Sequence, residues 1–255
     1  FGANLLEIGD SAFKECALST VNFRGGSLTT IGNSSFADCA SLQTISLPGS
    51  VTTIKPLAFS GSGLTSFTVP QSASKIDYGI LYDCGGLDSI TVAAGNSNFV
   101  VKEDALYEVR NGVPYRAVAY PIFKEVDSYT IADGTQIIDK FAFSKCKLSN
   151  LVLSDSVTTL NDQAFEHCAN LSSVVFGKSV TTISTGDYGA FHECRKLETL
   201  ETPSEDSVLK AEENVLYNND FTELYFYAFA KPDSVYHVLD TVKKINEAAI
   251  YDVPA

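Results

Sequence analysis

Residues 31–54, IGNSSFADCASLQTISLPGSVTTI, decide how the chain is read because their order recurs along it. Aligned on the leading aliphatic residue stand IGDSAFKEC (Ile8–Cys16), IGNSSFADC (Ile31–Cys39), IKPLAFSGS (Ile54–Ser62), IDYGILYDC (Ile76–Cys84), IDKFAFSKC (Ile138–Cys146) and LNDQAFEHC (Leu160–Cys168). Each carries a large apolar residue five positions on and, in five of the six, Cys eight positions on. The spacing between neighbouring copies is 22 to 23 residues. A copy at Ile183 has three extra residues that move its aromatic to Phe191 and its thiol to Cys194, and the last copy begins at Ile245. A fixed period of this length is the mark of a stacked repeat architecture.

Behind each Cys comes L-x-x-I-x-L, as in LQTISLP (Leu42–Pro48) and LTSFTVP (Leu64–Pro70), an alternating segment of strand length often closed by a ladder-ending Pro. S-V-T-T-I or S-V-T-T-L, at Ser50–Ile54, Ser156–Leu160 and Ser179–Ile183, restarts the cycle. One unit therefore predicts a short strand, a turn, a second extended piece and a compact loop or helical turn around A-F-x-x-C. Such a unit cannot bury its own apolar side, so about nine to eleven coils must stack into one solenoid with a continuous core.

The chain has 255 residues, 18 basic against 31 acidic, a net charge of −13 and 45% hydrophobic residues. Nucleic-acid binding needs a basic stripe, which that balance excludes, and the apolar content is far from the signature of disorder. No apolar run approaches the length of a membrane span, and FGANLLEIGD lacks the layout of a signal peptide. There is no Met, even at position 1, so the chain reads as a processed or trimmed piece. The pattern breaks at Phe1 and Ala255 without a cap, and further repeats or a cap are expected beyond one or both ends.

Two units are about twice the ordinary length, NSNFVVKEDALYEVRNGVPYRAVAYP (Asn96–Pro121) and SVLKAEENVLYNNDFTELYFYAFAKP (Ser207–Pro232). In the first, Asn111-Gly112 between extended runs is a strong hairpin signal because both positions tolerate positive φ. Asn218-Asn219-Asp220 plays that part less sharply in the second. Hairpin-containing units are thus expected at about 94–137 and 204–244, within one solenoid domain spanning 1–255.

Period, A-F-x-x-C, L-x-x-I-x-L-P and S-V-T-x-I together resemble the BspA-type leucine-rich repeat family over nearly the whole chain. The long units resemble that family's N-x-x-F…D-G-V-L-Y variant, with Ala105 and Asn214 where its glycine stands. The resemblance implies a right-handed leucine-rich-repeat solenoid, β-rich, with a parallel strand ladder, short helical turns and two β-hairpin insertions. It also implies a non-enzymatic cell-surface or secreted protein that adheres to host matrix proteins or other cells. No cofactor is expected, and a monomer is.

Cys16, Cys39, Cys84, Cys146, Cys168 and Cys194 share one repeat position, which points to a buried, reduced structural column. Disulfides between neighbouring coils are the rival, since stacked strands lie within disulfide reach. Ser62, in the same column, would leave Cys84 without a neighbouring partner there. His167 and His192 fall at x positions of A-F-x-x-C that should face solvent, and no C-x-x-C or H-x-x-x-H spacing suggests a metal. FGKSV (Phe176–Val180) resembles the tail of a phosphate loop but aligns with LPGSV of another coil, so the repeat accounts for it. No hydrolase, metalloprotease or dinucleotide motif occurs. Asn33 and Asn170 would accept glycans only in a eukaryotic secretory route.

Recognition surfaces remain. The outward positions of L-x-x-I-x-L form a ladder of small side chains, among them Thr44, Ser46, Ser66, Thr68, Ser89, Thr91, Asn150 and Thr199, broad enough for a protein or polymer. The alternative is that such residues simply suit strands. Eight of 12 tyrosines cluster at the hairpin units. Tyr107 and Tyr217 belong to the shared L-Y signature and are expected to be packed. Tyr115 with Arg116, and Tyr225 with Tyr227, are expected to be exposed and available to a partner. Residues 1–90 carry a net −3, leaving −10 on the rest, with Glu198, Glu201, Glu205, Asp206, Glu212 and Glu213 opposed only by Lys210. A solvated acidic flank is the reading preferred over a basic partner or divalent cations. Protein binding is the first functional expectation, with an extracellular-matrix or cell-surface partner. A glycan-binding module is the alternative, weakened by the absence of Trp.

Overall fold

The chain is a β-solenoid of about ten turns in a computed structural model that describes residues 1–184, 188–203, 206–230, 236–247 and 249–250. Its coils fall into two compact units, Phe1–Lys124 with Phe141–Ser144, and Glu125–Lys140 with Lys145–Ala255.

The first unit contains β1 (Glu7–Ile8), β2 (Thr30–Ile31), β3 (Thr53–Ile54), β4 (Ser66–Val69), β5 (Lys75–Ile76), β6 (Ser89–Val92), β7 (Phe99–Lys102), β8 (Ala105–Arg110) and β9 (Val113–Ala119). The segments that restart each coil, S-V-T-T-I in β3, make one parallel ladder, β1-β2-β3-β5, in which Ile8, Ile31, Ile54 and Ile76 stack in register and are buried. The alternating segments make another, β4 with β6, pairing Phe67 with Ile90 inward and Ser66 with Ser89 and Thr68 with Thr91 on the other face. A repeat of constant length puts the same residue at the same height in every coil, so like stacks on like. Phe13, Phe36 and Phe59 follow this rule as a column of rings with successive centroids 5.3 and 5.5 Å apart.

The second unit contains β10 (Ser128–Thr130), β11 (Ile137–Ile138), β12 (Asn150–Val152), β13 (Thr159–Leu160), β14 (Ser173–Val175), β15 (Thr182–Ile183), β16 (Thr199–Glu201), β17 (Leu209–Glu212), β18 (Val215–Asn218), β19 (Glu223–Tyr227) and β20 (Lys244–Ile245). Its ladders, β11-β13-β15 and β10-β12-β14-β16, repeat the parallel registers, with Tyr129, Leu151, Val174 and Leu200 stacked inward.

The expected helical turns are absent: no helix occurs among the described residues. Each A-F-x-x-C loop places a left-handed residue two before and two after its aromatic, as with Ser34 and Asp38 around Phe36, and Gln163 and His167 around Phe165. Positive φ twice within five residues breaks any helical run. Alternate N–H groups instead donate to the next coil: Ser34 to Pro56 O, Phe36 to Ala58 O and Asp38 to Ser60 O, at 3.0, 2.8 and 2.7 Å. The loops are thus a further inter-coil ladder. Leu42–Pro48 also departs from expectation, since no strand forms there. Among the described residues, no helix is long and apolar enough to cross a membrane.

The glycine of the FGKSV segment has a packing reason. A Cβ on Gly177 would stand 2.2 Å from the Ser154 carbonyl oxygen of the preceding coil, closer than real atoms approach.

Candidate recognition surface

On the first unit's strand face, Ser66, Thr68 and Thr91 are exposed and Ser89 is half-buried. The Thr68 and Thr91 hydroxyls share a hydrogen bond of 2.9 Å across the ladder. Thr44 and Ser46 are exposed on the unladdered segment, tied to the next coil through the Thr65 N–H donating to Gln43 O at 3.1 Å. Ser46 and Thr68 meet in a shallow groove whose apolar lining includes Ile45, Leu47 and Pro70 and whose polar lining includes Gln71. In the second unit, Ser128, Asn150, Ser173 and Thr199 line up in register. Asn150 is exposed and Thr199 half-buried. The second outward column of that ladder runs Thr130, Val152, Val175 and Glu201, so two apolar side chains and one carboxylate stand beside the polar row.

Both hairpins form, but not as the sequence suggested at their tips. In the first, β7-β8-β9, Arg116 is only 18% exposed. Its Nε donates to Glu108 Oε2 and its guanidinium to the Ile76 carbonyl, each at 2.7 Å. Arg116 is therefore a clamp between hairpin and coil. Tyr115 is half-buried with Arg110 Cζ 3.5 Å above its ring, a cation–π contact that occupies the face expected to be free. In the second, β17-β18-β19, Tyr225 is half-buried and Tyr227 is 2% exposed, packed edge-on against Tyr236 at 4.8 Å. The expectation that Tyr227 is exposed is overturned: the bulge between Leu216 and Tyr217 shifts the register so that Val215 pairs with Tyr227, and Phe226 and Tyr227 are both buried. Tyr107 and Tyr217 are buried.

Cys39, Cys84, Cys146, Cys168 and Cys194 are buried and Cys16 half-buried, all six as free thiols. Cys146 and Cys168 share a hydrogen bond of 3.0 Å, while the Ser62 hydroxyl lies 3.4 Å from the Cys84 sulfur. Burial pushes the Cys84 thiol up to about 11, the Ser62 hydrogen bond opposing it. His167 is exposed, but His192 is half-buried, its ring 5.8 Å from His167 and 4.8 Å from the 48% exposed Tyr188. Among the described residues, no three His, Cys, Asp or Glu side chains converge as a metal site would require.

Exposed ion pairs run from coil to coil. Lys147 donates to Glu125 at 2.8 Å and lowers its carboxyl, and the Lys178 backbone N–H at 3.2 Å lowers Asp155. Such exposed pairs add little stability. One feature of the second hairpin escaped sequence reading. Phe221, in its turn, and Leu239, from the segment before β20, line an open groove together with Glu212, Asp220, Asp240 and Thr241. Sequence separation hides this meeting, although the surplus of acids was visible. Glu198, Glu201, Asp206, Glu212 and Glu213 are exposed, while Glu205, Lys231, Pro232 and Ala255 lie outside the described residues.

The model of the BspA type leucine-rich repeat region matches residues 1–108 and 122–234, with six copies. The chain belongs to this family. Among solved structures, it is similar to a leucine-rich repeat protein from Eubacterium ventriosum, 23% identical with a TM-score of 0.65, covering 94% of this chain and 70% of that one. A leucine-rich cell surface protein from Faecalibacterium prausnitzii is also 23% identical, with a TM-score of 0.57 over 78% of this chain and 70% of its own. The pneumococcal vaccine antigen PcpA is 18% identical, with a TM-score of 0.59 over 98% and 68%. At these identities the likeness establishes the shared fold. Among curated proteins nothing matches the chain. The BspA-type solenoid is a scaffold typical of binding proteins rather than enzymes.

Proposed function

We propose that this chain is a non-enzymatic binding module of a cell-surface or secreted protein that holds other proteins, those of an extracellular matrix or a neighbouring cell surface first among them. The observation that carries the reading is the in-register ladder of small, exposed hydroxyl and amide side chains, Ser66, Thr68 and Thr91 in one unit and Ser128 and Asn150 in the other. A flat row of this kind offers hydrogen-bonding groups at strand spacing without bulky charge, which suits an extended macromolecular contact. The shallow groove beside Ser46 and Thr68 adds apolar contact through Ile45 and Leu47. The surface location of the F. prausnitzii protein, named as such, supports placing this chain outside the cell.

The second reading, glycan binding, draws on the exposed Tyr188 ring, tilted against His192, since a sugar packs against the open face of an aromatic ring. Parallel arrays of matrix proteins and of host and microbial glycans decide between them. Saturable binding to a matrix protein that Thr68→Arg abolishes supports the first. Glycan binding that Tyr188→Ala abolishes promotes the second, and silence on both arrays counts against the proposal.

A further inference from the structure

We propose that the groove of the second hairpin is a docking site for a partner protein's segment that presents an arginine or lysine beside an apolar residue. This rests on the protein-binding reading and names the partner chemistry at one place on the chain. Phe221 and Leu239 give the groove its apolar surface, and Leu239 is 38% exposed. Phe221 is held by Tyr217, ring centroids 5.5 Å apart, so its position is fixed before anything binds. Around it stand the carboxylates of Glu212, Asp220 and Asp240. The Thr222 hydroxyl donates to Asp220 Oδ1 at 3.0 Å, which orients that carboxylate. Among the described residues, no cation forms an ion pair with any of the three.

The chemistry narrows the occupant. An anion is repelled by three carboxylates, and a wholly apolar segment would strip water from them without returning a hydrogen bond. A bare metal ion gains nothing from a Phe and Leu surface. A long cationic side chain satisfies both parts: its methylene stem lies on apolar surface, its charged head meets carboxylates, and its cation can sit over an aromatic ring. The first hairpin provides the contrast. Lys102 occupies the register position of Glu212, each at the strand end that closes on the next strand, at Ala105 and Val215 respectively. Its aromatic, Tyr115, already carries Arg110 over its face. The first hairpin thus covers an aromatic face with its own cation, whereas the charged side chains beside Phe221 in the groove are carboxylates.

The test is fluorescence anisotropy on the full chain with a capped, labelled Gly-Leu-Arg-Leu-Gly peptide against the same peptide with citrulline, a neutral isostere of arginine. The arginine peptide should bind saturably, the citrulline peptide about tenfold more weakly, and added salt should narrow the gap. Phe221→Ala and Asp240→Asn should each weaken the arginine peptide several-fold, while Lys102→Glu should not. Asp240→Asn removes only charge from an exposed residue, so its result stands even if Phe221→Ala unfolds the hairpin. Equal binding of both peptides, no saturation at millimolar concentration, or indifference to Asp240→Asn overturns the proposal. If the peptides fail while the chain still binds a matrix protein on the array, the groove assignment falls and the binding-module reading stands.

Discussion

The two hairpin units are built on one backbone and finished with opposite chemistry. Each sets three antiparallel strands, each turns from its first strand into its second through consecutive left-handed residues, Glu103-Asp104 and Glu213-Asn214, and each has a bulge at the L-Y pair, Leu106-Tyr107 and Leu216-Tyr217. The first then closes its charges upon itself: Arg116 with Glu108 and the Ile76 carbonyl, Arg110 with Tyr115. The second spends its polar groups on its turn instead. Asn218 Oδ1 accepts from the Thr222 and Glu223 N–H groups, both at 2.8 Å, and the surrounding carboxylates face outward. The lesson is that the repeat fixes the hairpin as structure, and the variable positions decide whether it is a brace or a recognition surface.

The comparison breaks most visibly where the two units are alike. Tyr107→Ala and Tyr217→Ala remove equally buried rings, and each should cost about 3–5 kcal/mol by denaturant unfolding. A large cost at only one would mean that the hairpins are not equivalent in packing. Removing the clamp comes next. Arg116→Ala takes the 2.7 Å donors from Glu108, which keeps only Arg110 at 3.5 Å, and from the Ile76 carbonyl, and should cost about 2 kcal/mol, whereas Tyr225→Ala, on a half-buried ring, should cost about 1 kcal/mol or less. Equal losses would dissolve the distinction between brace and recognition surface. Arg110→Ala removes the cation–π contact on Tyr115 and should cost about 0.5–1 kcal/mol without changing partner binding.

An alkaline titration sharpens the same contrast more gently. Burial, and then the Tyr236 hydroxyl, push the Tyr217 phenol well above the ordinary tyrosine range, and burial raises Cys84 to about 11. A group raised in the folded state binds more protons there than in the unfolded chain, so its contribution is complete below the unfolded value and lost as pH rises. Stability should therefore hold to about pH 9 and fall toward pH 11 by at most about 1.4 kcal/mol per pH unit for each such group. Thermal melts across that range check it, and Tyr217→Phe should remove part of the slope.

Much of this was legible in the sequence. Constant spacing of Ile31, Phe36 and Cys39 with their counterparts announces stacking, and Asn111-Gly112 announces a hairpin. What could not be read is what neighbouring coils do to one another. Ser34 and Asp38 look like ordinary loop residues, yet both take positive φ because their N–H groups must reach the next coil. Arg116 looks like a free cation until Glu108 and the Ile76 carbonyl, 8 and 40 residues away, close around it. Tyr227 alternates with Tyr225 in sequence, but the bulge beside Leu216 buries it. Phe221 and Leu239 are 18 positions apart and meet only in the folded groove.

The most direct test of the binding-module account is a set of isotherms for the chain on immobilised extracellular-matrix proteins, run with Thr68→Arg, Asp240→Asn and Arg110→Ala in parallel. The account predicts saturable binding that Thr68→Arg abolishes, Asp240→Asn weakens and Arg110→Ala leaves unchanged. Absence of saturable binding, or a loss confined to Arg110→Ala, would contradict it.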